Sequence, residues 1–133
     1  MTSVTLTGLS NIDVVNLDEE LVNQSKLYMI FEVAHAYVSD KYVRSDAQLK
    51  YLESKLSLQY EYELNAKNER ATDKKIEKLV ESNSEFHTAV MENIDLKNYV
   101  VTLSNILKGL DNRKDMIMQL SSKRNKEIGA KMV

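Results

Sequence analysis

From residue 17 onward the chain repeats at alternating steps of four and three: Leu17, Leu21, Gln24, Tyr28, Phe31, His35, Val38, Tyr42, Ser45, Leu49, Leu52 and Leu56. A mean period of 3.5 residues keeps one stripe of a helix against a partner along its length. The pattern therefore predicts a long first helix. Its start is favoured by Asp18, Glu19 and Glu20, whose carboxylates complement the positive end of the helix dipole. Running from Asp18 to about Arg70 it would be roughly 80 Å long at 1.5 Å per residue. Ser39-Asp40 and Ser45-Asp46 each offer a point at which it could stop and restart. Thr72 then stands as an N-cap with Asp73 in the first turn, and Ile76, Leu79 and Val80 form the apolar stripe of a short second helix. Ser84, followed by Glu85 and Phe86, repeats the capping signal for a third helix. Its seam is Leu96, Val100, Leu103, Leu107, Leu110 and Ile117, with Lys114 at the exposed-looking step, and it ends near Gly129. Gly109, inside this helix, costs about 1 kcal/mol relative to Ala and is read as the mark of a close helix crossing.

The predicted fold is all-α: a long helical hairpin with a short corner helix over 17–128, preceded by an extended arm at 1–16 and followed by a tail at 129–133. The first helix is apolar on more than one side over 27–38, because Leu27, Met29, Ile30, Val33, Ala34 and Tyr37 lie off the seam. Two helices cannot cover all of these, so a homo-oligomeric bundle or ring is expected, with Leu27, Tyr28, Phe31 and Val38 as oligomerisation residues.

Composition narrows the chemistry. The 133 residues amount to about one domain. With no proline and glycine at positions 8, 109 and 129 alone, long helices meet few interruptions. The absence of cysteine excludes disulfide frameworks, thiolate nucleophiles and cysteine zinc sites. The N-terminus has no positive flank and no uninterrupted apolar core, and the most apolar window, 27–38, carries Glu32 and His35 and is too short to span a bilayer. A cytoplasmic protein without a membrane partner is expected. His35 and His87 lie on different helices, with no acidic residue or histidine at the i+3 or i+4 position of either, so neither a metal nor a cofactor is expected. There is no glycine-rich phosphate loop and no strand-turn-helix around a serine, and Glu61 and Glu63 point to different helix faces, so the expectation is not an enzyme.

Three groups of residues bear on nucleic acid. Tyr51, Tyr60 and Tyr62 stand among Lys50, Lys55, Lys67 and Arg70. Rings interleaved with cations can stack bases and neutralise phosphates, but Tyr51 and Tyr60 also flank the seam, where they would pack the hairpin. At the corner, Lys67, Arg70, Lys74, Lys75 and Lys78 form a phosphate-tracking patch diluted by Glu69, Asp73 and Glu77, or simply a solvated turn. The charge is also uneven. Residues 1–20 hold four acids and no base, whereas 108–131 hold seven bases, among them Lys123, Arg124 and Lys126, against three acids. Around a ring this basic end would be multiplied into a rim, although the same cations also complement a helix C-terminus.

The succession of a Tyr-rich helix (51–62), a charged corner through Thr72-Asp73-Lys74-Lys75-Ile76, a joint at 81–85 and a last helix ending Arg113-Lys114-Asp115-Met116-Ile117-Met118-Gln119-Leu120 resembles small helical proteins of tailed phages related to the UvsY-type recombination mediators. The resemblance covers about residues 45–125. It implies a ring-like homo-oligomer that binds single-stranded DNA and helps load a recombinase onto strands covered by single-strand binding protein. Arg113 and Lys114 would then lie in a basic segment of the last helix, and Lys67, Arg70, Lys74 and Lys75 in a basic corner. Two other classes compete with this one. The first is a helical protein-interaction module, such as an inhibitor of a host defence protein that docks through the acidic arm. The second is a structural coiled-coil component.

Overall fold

The computed structural model describes residue 12 and residues 16–131, with side chains to residue 129. It contains α1 (Leu17–Ala66), α2 (Asp73–Ser82) and α3 (Ser84–Lys131), and no strand among the described residues, so the all-α expectation holds. The arm expected over 1–16 lies outside the described residues apart from 12 and 16. The tail expected from 129 is replaced by α3 continuing to Lys131.

Helix α1 does not break at 39–46. The two aspartates that could have capped a restart pair one turn downstream instead: Asp40 accepts from Arg44 Nε at 2.9 Å, and Asp46 lies 3.2 Å from Lys50 Nζ. Such i,i+4 pairs support a continuous helix.

The chain divides into two compact units. In the corner unit, Ala36–Val101, the second part of α1 runs antiparallel to the start of α3. Asn93 Nδ2 donates to Ser45 Oγ at 3.3 Å, and Asn83 Nδ2 donates to the Tyr60 hydroxyl at 2.9 Å. Leu56, Leu64 and Val80 are its buried apolar residues.

The turn after α1 is made without glycine or proline. Asn68 adopts φ 57°, the Asn68 N–H reaches the Asn65 carbonyl at 3.1 Å, and the Glu69 N–H reaches the Leu64 carbonyl at 2.9 Å. These are the two bonds of a Schellman stop, with asparagine in the left-handed position usually given to glycine. Thr72 then caps α2 by accepting from the Lys75 N–H at 3.3 Å, as its position before Asp73 predicts. The α2–α3 joint departs from expectation. Its cap is Asn83 rather than Ser84, for Asn83 Oδ1 accepts the Phe86 N–H at 3.0 Å while the same amide donates to Tyr60.

The terminal unit comprises 16–35 and 102–131 among its described residues. Leu17, Leu110 and Ile117 are its most deeply buried residues. Gln24, the polar member of the α1 seam, donates to the Leu110 carbonyl at 2.5 Å. It also accepts from Arg113 Nη1 at 2.6 Å, and Arg113 Nη2 pairs with Glu20. Moving back along α1 from Gln24 to Glu20 thus meets residues further along α3, so the helices are antiparallel here too. Two expectations for α3 are corrected. Arg113, not a solvent-facing Lys114, takes the seam step between Leu110 and Ile117, because its guanidinium reaches the Gln24 amide and the Glu20 carboxylate. No close crossing lies at Gly109, where an added Cβ would meet nothing within 4 Å.

Candidate nucleic-acid surfaces

The cations singled out in the sequence fall into three environments. Lys123, Arg124 and Lys126 lie within 122–129 of α3, a stretch exposed at every residue. Lys114 is exposed as well, and borders an open groove of about 330 Å³ with Gln24, Tyr28, Glu32 and Asp111. Lys67 and Arg70 are exposed in the turn after α1, and Lys74 and Lys75 in the first turn of α2. Arg113 is the exception. It is 8% exposed, held by Gln24 and Glu20, and a phosphate could reach it only by displacing the carboxylate.

The corner is not a uniformly basic patch. A groove of about 460 Å³ runs beside it, with the carboxylates of Glu53, Glu61, Asp73, Glu77 and Glu81 around an apolar floor that includes Ile76 and Phe86. None of the four corner cations lines this groove.

The tyrosines separate. Tyr60 is half-buried and hydrogen-bonded to Asn83, so it packs as the seam-flanking reading expects. Tyr51 and Tyr62 are 70% and 76% exposed, so the packing expected of Tyr51 is not found. Two of these three rings therefore remain available to groups outside the protomer.

The four residues named for oligomerisation share one environment. Tyr28, Phe31 and Val38 are half-buried at seam positions, and Leu27 is half-buried beside them. Uncovered on α1 in the terminal unit are Val22, Met29, Ile30 and Val33, which lie on the side opposite the seam and are all more than half exposed. The sequence pattern marks Met29, Ile30 and Val33 as off-seam residues; Val22 joins them, and its signal is a spacing of seven from Met29. His35 is half-buried and His87 exposed, and no cluster of three or more potential metal ligands occurs among the described residues.

These features define a class: a helical scaffold with uncovered apolar, aromatic and cationic faces. No helix among the described residues is long and apolar enough to cross a membrane. Set against known proteins, the chain matches no family model, no curated protein and no solved structure.

Proposed function

We propose that this is a self-assembling helical accessory protein that binds single-stranded DNA and helps load a recombinase onto strands covered by single-strand binding protein, in the manner of the phage mediators it resembles. The observation that carries the reading is the pairing, in one unit, of an uncovered apolar face (Val22, Met29, Ile30, Val33) with the exposed cations Lys123, Arg124 and Lys126. Covering the apolar face with other copies brings several sets of these cations into one assembly, where an acidic chain can present a basic surface. Ile30 and Val33 probe the assembly better than Phe31, whose half-buried seam position also serves the protomer's own fold.

Two measurements test it. Light scattering should give a mass well above 15.3 kDa at micromolar concentration, and Val33→Asp should lower it by placing an unpaired charge in the interface. Fluorescence anisotropy with a labelled single strand should show affinity falling steeply with salt. Changing Lys123, Arg124 and Lys126 together to Glu should weaken binding and flatten the log-log slope by about 0.7 for each phosphate that is no longer neutralised. A stable monomer, or a parent protein that binds no single strand, would refute the proposal. The second outcome would favour a protein-docking module, for which the acid-rimmed groove of the corner unit is the matching feature.

A further inference from the structure

We infer that the outward face of α1 in the corner unit is a stacking track for single-stranded nucleic acid, separate from the cations of α3. This rests on the single-strand-binding reading above and assigns it a second set of residues.

Two rows with a spacing of seven run side by side along this part of α1. One is Tyr37, Arg44, Tyr51 and Leu58, and the other is Lys41, Gln48, Lys55 and Tyr62. Residues three, four and seven apart lie on one side of a helix, so the two rows form a single face. At 1.5 Å per residue it is about 37 Å long. Tyr37, Tyr51, Leu58 and Tyr62 are between 62% and 76% exposed.

The face is cationic although the segment is not. Of its five carboxylates, Asp46 and Glu63 fall on other sides of the helix, and Glu53 lines the acid-rimmed groove that Leu58 also borders. Asp40 is held by Arg44 at 2.9 Å, and Glu61 stands at one margin. With Arg44 spent on Asp40, Lys41 and Lys55 are the cations that serve phosphates, along the row that also carries Tyr62. Lys41 Nζ already lies 4.6 Å over the Tyr37 ring, so Tyr51 and Tyr62 are the rings open to a base. Glu85 and Glu92 line the groove that Tyr51 and Lys55 border, and their charge keeps the phosphates to the outward side. Alternating rings and cations on one exposed face are what binding without sequence preference requires, since every base has a face to stack and every nucleotide a phosphate. An exposed apolar face built for another subunit has no need of this alternation.

The test uses the full chain, a labelled single strand, and an abasic strand of equal length. Tyr51→Ala and Tyr62→Ala should each weaken binding to the base-containing strand about tenfold. Phe at either position should restore it, and binding of the abasic strand should be unchanged. Lys55→Gln should lower the salt slope on both strands by about 0.7. Because both tyrosines are exposed and alanine favours helix, helicity and assembly mass should equal the parent's. If the parent binds and both alanine variants bind equally well, the track is refuted while the α3 site stands. If the alanine variants change the assembly mass, the face is a subunit interface and the track is refuted in favour of a second copy. If the parent binds no single strand, the underlying reading falls with it.

Discussion

The two units are made from the same two helices, paired in the same sense, yet different bonds cross between them. In the terminal unit the crossing bonds join a guanidinium, a carboxylate, a primary amide and a backbone carbonyl, with Gln24 and Arg113 buried. In the corner unit they join neutral amides to hydroxyls in half-buried sites, alongside two capped helix starts and a Schellman stop. The difference bears on register. An apolar seam with a period of seven is nearly indifferent to a slip of seven residues, because one leucine replaces another. The corner unit is protected against such a slip by its short connection. The terminal unit has no adjacent turn, and there a slip would leave Arg113 buried away from the Glu20 carboxylate. A polar group on a helical seam is best attested in this role of fixing alignment.

The largest expected effect comes from breaking that cluster. Arg113→Ala should cost about 3–5 kcal/mol, because it strips the buried side of the Glu20 carboxylate of its counter-charge. Urea unfolding measures the loss, and replacing Glu20, Gln24 and Arg113 together with Leu, Leu and Met should recover most of it. If the triple variant is as stable as the parent but mixes helix registers, as read by disulfide trapping between engineered cysteines, the cluster serves alignment rather than stability. A smaller effect is expected at the corner. Asn83→Ala removes the α3 cap and the bond to Tyr60 and should cost about 1–2 kcal/mol, whereas Asn83→Asp keeps the cap and should lose less. The smallest is a gain. Gly109→Ala should raise stability by up to about 1 kcal/mol, since nothing stands within 4 Å of the added methyl. A loss there, together with a drop in assembly mass, would place a second copy against that face.

Much of this was legible in the chain. Every seam residue read for α1 from Leu17 to Leu56 is buried or half-buried, because burial along a packed helix imposes its period directly on residue type. The Thr72 cap is equally plain, as a hydroxyl beside an acid at the head of an apolar stripe has few other roles. What escaped were choices between neighbours that period alone leaves open. Asn83 and Ser84 both cap helices, and Tyr60 across the pair settles which one does so. Arg113 and Lys114 both fit the charged step, and the choice follows from Gln24, whose presence on an apolar seam already signalled a buried polar partner. The unbroken α1 was hidden because Asp40 and Asp46 suit a cap and a helix interior alike, and their pairing with Arg44 and Lys50 decides the matter. Of the candidate surface, the cations were legible as a set of charges. The tyrosines among them were legible too, and what burial adds is that Tyr60 packs beside the seam while Tyr51 does not.

The sequence distances spanned by the crossing bonds also set an order of events in folding. In the corner unit they bridge 23 and 48 residues, and in the terminal unit 86, 89 and 93. With closure entropy growing as the logarithm of loop length, the widest terminal bond costs about 1 kcal/mol more to bring together from the open chain than the narrowest corner bond. The excess vanishes once the corner has formed, because the remaining ends are then held close. The chain should therefore zip from its bend toward its ends, and a nascent chain released from synthesis before residue 110 would hold a paired corner while the first turns of α1 still await their partner.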